Sequence, residues 1–362
     1  MKILFVTSSS INGGAQKHIR EMFKSLSALG HEMYLSAPEG WLLDELSDYK
    51  SKLYPFSSTR EGVSVVSKLI KEIKPDITNT FILSGAVVGT LAWKKNQYGK
   101  LFVTVNNPVL YDGVSIAGRF FYPRLYRYIS KYASAFLVKS DTVRDEVDKV
   151  IGGKKPVLSI KNGVDFTIFN KDAHYGNLKE ELGVGGKEIV IGNVAVLNER
   201  KGQQYLIEAV AKLREKYPLH LIIAGEGPFR QELEQRVSQL NATNYVHFLG
   251  RRSDVNAVLA NCDVFVLPSL HEGLPNSLME AMAMDLPCVA TDVGGVRQLI
   301  ADGENGIVIE PKSSEAIALS IEKLLCDVKM METYGREAYN FIYAGFKQEA
   351  VAKELVEIYQ TI

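Results

Sequence analysis

The chain has 362 residues, of which 46% are hydrophobic and 23% charged, and its formal net charge is zero. This composition excludes a disordered chain, and the length is too great for one ordinary core, so two domains are expected. No hydrophobic run is long enough for a membrane span or a signal peptide, and the three cysteines lack metal-ligand spacing, so we expect buried thiols in a reducing cytoplasm.

The zero net charge conceals an asymmetry along the chain. Residues 1–165 carry 23 Lys and Arg against 15 Asp and Glu, a formal charge of +8, whereas the remainder carries 19 against 27, which is −8. The first half should therefore favour an anionic partner.

The first half alternates hydrophobic runs with helical segments, which is the pattern of a doubly wound parallel sheet. Strands are predicted near residues 2–8, 33–37, 76–80, 101–105, 135–139 and 157–160. Gly13 and Gly14 follow the first strand and precede a helix. Two glycines there allow either a simple tight turn or a close approach of the backbone to a substrate.

Cations and aromatic rings alternate between residues 119 and 132, just before the fifth of these strands. Such a segment can rest on anionic lipid headgroups. It can equally be an ordinary helix that packs its Tyr and Phe side chains on the sheet and leaves Arg and Lys in water. Nucleic acid is disfavoured as a partner, because no recognisable binding module accompanies the charges.

The second half repeats the alternation of strands and helices. Strands are predicted at residues 189–197, 219–224, 245–251 and 287–291, with helices at 203–216, 313–326 and 348–359. Arg200 and Lys201 stand before the first of these helices, where two cations either neutralise a diphosphate or are simply solvated. No complete Gly-x-Gly-x-x-Gly motif follows a strand, which disfavours a dehydrogenase.

The most informative segment runs from residue 264 to residue 284, where a strand, a turn and a helix that begins near Pro275 are predicted. Glu272 lies in the turn and Glu280 in the second helical turn. Between them, the helix dipole and the backbone N–H groups of three residues form a diphosphate site: Leu274, Asn276 and Ser277. A carboxylate on each side of an anion site suits a nucleotide sugar, which has hydroxyls at both ends.

Glu272 and Glu280, separated by seven residues after a strand and a Gly-Leu-Pro turn, resemble the signature of the retaining family-4 glycosyltransferases. The resemblance covers nearly the whole chain and implies an α/β protein of the GT-B fold, with two Rossmann-like domains that face each other across a cleft. Residues 1–165 would bind the acceptor and residues 166–345 the nucleotide-sugar donor. The C-terminal helix, about 346–362, would cross back to the first domain.

The resemblance also implies roles for individual residues. Arg200 and Lys201 would stabilise the leaving diphosphate, Glu272 would hold sugar hydroxyls and Glu280 the ribose. The remaining donor-binding positions that it implies are Gly13, Gly14, Asn106, Gly225, Gly250, Arg251, Gly273, Leu274, Pro275, Asn276 and Ser277. The family usually has His where this chain has Asn106, and an amide cannot take part in proton transfer.

These observations lead us to expect a retaining hexosyl- or N-acetylhexosaminyltransferase that uses a nucleotide sugar, UDP-linked by resemblance, and a saccharide or lipid-linked saccharide acceptor. No Asp-x-Asp motif is present, so we expect no metal, and no cofactor besides the co-substrate. The expected location is the cytoplasm, with the inner membrane face as a further option. The alternatives are an epimerase or a phosphorylase-like enzyme on the same fold, and a non-catalytic nucleotide-sugar-binding protein.

Overall fold

The computed structural model describes residues 1–11, 13–106, 109, 115–186 and 188–362. These residues form two compact units, one made of Met1–Gly163 with Gln348–Ile362, the other of Val164–Lys347. In the described part of the chain, no helix is both long and apolar enough to cross a membrane.

The first unit is built on a parallel sheet. Its strands are β1 Lys2–Thr7, β2 Glu32–Ala37, β3 Leu53–Pro55, β4 Ile77–Phe81, β5 Lys100–Val105, β6 Ala135–Val138 and β7 Val157–Ser159. Its helices up to residue 163 are α1 Gly14–Ala28, α2 Trp41–Asp44, α3 Thr59–Ile73, α4 Leu83–Asn96, α5 Ile116–Ile129 and α6 Asp141–Ile151. The strand order β3-β2-β1-β4-β5-β6-β7 confirms a doubly wound sheet.

The second unit has the same type of sheet, in the order β10-β9-β8-β11-β12-β13. Its strands are β8 Ile189–Val194, β9 Leu219–Ala224, β10 Val246–Gly250, β11 Val264–Leu267, β12 Cys288–Thr291 and β13 Ile307–Ile309. Its helices are α7 Leu178–Glu181, α8 Gln203–Arg214, α9 Arg230–Gln239, α10 Val255–Ala260, α11 Asn276–Ala283, α12 Ser314–Cys326 and α13 Val328–Gly345.

The last helix, α14 Gln348–Thr361, returns to the first unit, as predicted. Val351, Ala352 and Leu355 join the hydrophobic cluster of α1 and the first sheet. The hydroxyl of Tyr359 accepts a hydrogen bond from the Asn79 side chain at 2.7 Å, and its ring packs edge-on against Phe102 at 4.9 Å. Burial of one helix face and a satisfied buried hydroxyl therefore fix the chain terminus to this sheet.

The structure corrects two sequence expectations and adds one helix that the sequence analysis did not predict. Cys262 and Cys288 are buried, but Cys326 is exposed at the end of α12. The 18-residue helix α13 was not predicted from the sequence. Pro275 was expected in the first helical turn; it lies one residue before α11 in extended backbone, as the N-cap.

Candidate active site in the second unit

The site in the second unit lies where its sheet changes winding direction. Strands β9 and β10 are on one side of β8, and β11 is on the other. In such sheets the crevice for a ligand forms outside the carboxyl ends of the two strands at this point. The loop after β8 contains Arg200 and Lys201, and the loop after β11 contains Glu272. The topology therefore brings together residues that are about seventy positions apart in the sequence.

The two loops are joined by an ion pair and by a backbone hydrogen bond. Lys201 Nζ lies 2.6 Å from Glu272 Oε1, and these side chains are 23% and 8% exposed. The N–H of Leu270 donates to the carbonyl oxygen of Arg200 at 2.7 Å. The predicted cation and the predicted carboxylate are thus direct partners, a contact that the sequence did not reveal.

Glu272 has a second partner that sequence reasoning missed. The hydroxyl of Ser269, which is fully buried, donates to Glu272 Oε1 at 2.6 Å. Thr291, at the end of β12, donates its own hydroxyl to the Ser269 carbonyl oxygen at 2.5 Å. The only sequence signal for this arrangement was a serine three residues before the glutamate at a strand end.

The predicted segment 273–277 leads directly into α11. The carbonyl oxygen of Gly273 accepts a hydrogen bond from the N–H of Gly295 at 2.7 Å. Leu274 and Pro275 are buried, and Asn276 and Ser277 form the half-buried first turn of the helix. The positive end of the helix dipole therefore begins four residues after Glu272.

Glu280 follows in the second turn of α11 and is half-buried. It lies one helical turn beyond Asn276, so both predicted carboxylates belong to the same loop and helix.

Gly225, the glycine predicted after β9, lies close to the backbone of neighbouring strand ends. The N–H of Gly225 donates to the carbonyl oxygen of Gly250 at 2.8 Å, which links the ends of β9 and β10. Its φ is +154°, and a Cβ atom there would clash with the carbonyl oxygen of Ala195. This close approach is to the protein's own backbone. Arg251, directly after β10, is exposed.

Three predicted site residues belong to the first unit. Gly13 is the N-cap of α1 in extended backbone and Gly14 is the first residue of that helix, so neither requires a glycine-only conformation. Asn106 follows β5, and its two side-chain polar atoms are buried without a hydrogen-bond partner among the described residues. An unsatisfied buried amide costs free energy and marks a position where a ligand group could bind.

Comparison with known proteins agrees with this architecture. The family model described as Glycosyltransferase Family 4 matches residues 12–167, and the one described as Glycosyl transferases group 1 matches residues 176–341. The chain belongs to the family-4 type glycosyltransferases with the GT-B fold.

Individual relatives support the same assignment. EpsD of Bacillus subtilis (strain 168), which carries the name of a glycosyltransferase, is 28% identical over 348 residues, which cover 93% of this chain and 91% of EpsD. The glycosyltransferase MJ1607 of Methanocaldococcus jannaschii is 31% identical over 240 residues, 64% of this chain and 62% of that protein. The crystal structure of Anabaena HepE in complex with UDP-glucose superposes with a TM-score of 0.89 at 22% identity, over 100% of both chains.

Proposed function

We propose that this glycosyltransferase moves a hexosyl or N-acetylhexosaminyl unit from a UDP-sugar to a saccharide or lipid-linked saccharide acceptor, with retention and without a metal ion. The observation that carries the proposal is the contact between Lys201 and Glu272 at 2.6 Å, next to the start of α11. A cation and a helix N-terminus together suit a departing diphosphate, and a neighbouring carboxylate suits sugar hydroxyls.

The reaction must stabilise negative charge on the leaving phosphate and positive charge on the sugar. Lys201 supplies the ammonium for the first requirement, and Arg200 is the adjacent cation. Glu272 supplies a carboxylate beside the sugar. We assign no side-chain nucleophile. The acceptor oxygen would bond to the anomeric carbon on the face from which the diphosphate leaves, with its proton passing to the departing phosphate oxygen, and the anomeric configuration would be retained.

The nature of the donor and the acceptor is supported by the relatives. HepE was crystallised with UDP, with UDP and glucose, and with UDP-glucose. Another relative, WcaL of Salmonella typhimurium, carries the name of a colanic acid biosynthesis glycosyltransferase. These names favour a UDP-sugar donor and a saccharide acceptor.

The test is a thermal-shift panel in EDTA with UDP-glucose, UDP-galactose, UDP-N-acetylglucosamine and GDP-mannose, followed by measurement of nucleotide release from the best donor. We expect Lys201→Ala to lower the rate of release by about 10²–10³-fold while the protein remains folded. Lys212→Ala is the matched control, because Lys212 forms an exposed pair with Glu315 at 2.9 Å.

Four outcomes would contradict the proposal in different ways. Failure of every donor to bind would refute a nucleotide-sugar enzyme. Binding without release of nucleotide in the presence of saccharide acceptors would favour a non-catalytic binding protein, and conversion of the donor sugar without an acceptor would favour an epimerase. Near-normal release by Lys201→Ala would refute the leaving-group role.

A membrane surface is a further partner that we propose for this protein. Phe120 and Phe121 on α5 are 54% and 57% exposed, and the guanidinium of Arg124 lies 3.4 Å from the centroid of the Phe120 ring. Exposed aromatic rings beside a cation suit an anionic lipid surface. We therefore propose that the first unit contacts the cytoplasmic face of the membrane that carries the acceptor.

A further inference from the structure

Two donors converge on one oxygen of the Glu272 carboxylate. Lys201 Nζ and Ser269 Oγ each lie 2.6 Å from Oε1. Among the described residues, Oε2 has no hydrogen bond. The carboxylate is therefore held through Oε1, and Oε2 is available to accept a hydrogen bond from a ligand.

The proposed function places conflicting demands on Lys201. Its ammonium holds Glu272 in the ligand-free protein, yet it must also approach the donor's diphosphate. An ammonium has three donors and a flexible stem, so a bound phosphate competes with Glu272 for it and weakens its hold on the carboxylate. Glu272 then needs another partner, or its side chain loses its orientation when the sugar is bound.

Ser269 is suited to this task. A hydroxyl has one proton to donate, and that of Ser269 is directed at Glu272 Oε1. Its side chain is short and fully buried, and its carbonyl oxygen accepts a hydrogen bond from the Thr291 hydroxyl at 2.5 Å. The Ser269 side chain therefore has little freedom to move. Unlike Lys201, it carries no charge that a diphosphate attracts.

We propose that Ser269 is a positioning residue, which keeps Glu272 oriented while Lys201 engages the diphosphate, so that Oε2 meets the hydroxyls of the transferred sugar. This inference rests on the proposed function and adds a division of labour between the two donors. It predicts that Ser269 contributes to recognition of the sugar and not to recognition of the nucleotide.

The experiment measures, by calorimetry, the affinity of Ser269→Ala for the best nucleotide sugar of the panel and for its parent nucleoside diphosphate. We expect about tenfold weaker binding of the nucleotide sugar, the size of one lost hydrogen bond to a charged group, and less than about a twofold change for the diphosphate. Ser36→Ala is the matched control. Ser36 is also fully buried, and its hydroxyl donates to the Tyr54 carbonyl oxygen at 3.0 Å in the first unit, so neither affinity should change.

A second comparison tests whether Ser269 acts through Glu272. In a Glu272→Ala background, Ser269→Ala should cause no further loss of sugar-donor affinity. If Ser269→Ala fails to fold, Ser269→Cys replaces it, and its weaker donor should give a smaller loss of the same kind.

The inference is overturned if the nucleotide sugar and the diphosphate lose affinity equally, if neither loses affinity, or if the loss persists without Glu272. These outcomes require a wild-type protein that binds the donor. A wild-type protein that binds no donor would instead refute the proposed function, and this inference with it.

Discussion

At the scale of single residues, the first unit contains a lysine that is buried away from water. Lys139 follows β6, is 4% exposed, and its Nζ lies 2.7 Å from His18 Nε2 on α1. Burial lowers the pKa of Lys139 to about 7, an effect that the negative charge of Glu354 on α14 opposes. Burial, together with the charge of Lys139, also lowers the pKa of His18 well below its usual value. The pair therefore consists largely of neutral groups above pH 7.

This pair predicts how stability depends on pH. Between about pH 7 and pH 10.5, Lys139 is neutral in the folded protein but protonated in the unfolded chain, so the unfolded state binds more protons and stability rises with pH. Below pH 7 the lysine is protonated in both states and the full cost of burying its charge remains. Lys139→Met should therefore make the melting temperature depend less on pH. Its stability should exceed that of wild type by the largest margin at pH 6.

The control for this measurement is Lys131→Met, because Lys131 is exposed. It should shift the melting temperature little at any pH. Parallel profiles of wild type and Lys139→Met would show that Lys139 does not titrate in this range.

At the scale of elements, the site depends on close packing of the two loops that follow β8 and β11. Gly202 connects Lys201 to α8 with φ of +65°, and a Cβ atom there would clash with the carbonyl oxygen of Pro268. The chain can thus bring Lys201 beside Glu272 only because residue 202 has no side chain. Sequence alone did not reveal the strand end that this glycine touches.

Gly202→Ala should therefore destabilise the protein and weaken donor binding. Gly183→Ala is the matched control, because Gly183 has nearly the same φ, +67°, and nothing lies within 4 Å of its added Cβ. The backbone strain common to both variants costs about 1–2 kcal/mol, and Gly202→Ala should lose at least about 1 kcal/mol more in urea unfolding. Equal losses, with donor binding intact, would show that the contact with Pro268 does not constrain the site.

At the scale of the whole molecule, charge is distributed unevenly along the chain. The +8 of residues 1–165 accompanies the exposed Phe120 and Phe121, whereas the rest of the chain carries −8. An anionic surface therefore attracts the first half of the sequence and repels the second. Binding to a membrane would therefore have two contributions. The positive charge supplies an electrostatic attraction, which salt screens, and the exposed Phe side chains supply a hydrophobic contribution, which salt does not screen.

The protein should therefore bind vesicles that contain anionic lipid at low ionic strength and be released at high salt, as measured by co-sedimentation. Replacing Phe120 and Phe121 by Ser should weaken binding several-fold. Phe341→Ser, at a Phe of the second unit that is 41% exposed, is the control and should have no effect. Binding that ignores both salt and the Phe120 and Phe121 substitutions would contradict this contact.

The sequence by itself determined the α/β class, because runs of β-branched and aromatic residues alternate with helical segments. Such local patterns set the secondary structure that each segment adopts in the folded protein. The sequence also predicted Lys201 and Glu272 as candidate site residues and a helix start near Pro275, since their signals lie within short motifs. The tertiary structure decided the strand order, the ion pair of Lys201 with Glu272, and the hydrogen bond from Ser269 that holds the same carboxylate. These features depend on which strand ends become neighbours, a non-local choice made by the packing of whole sheets and helices.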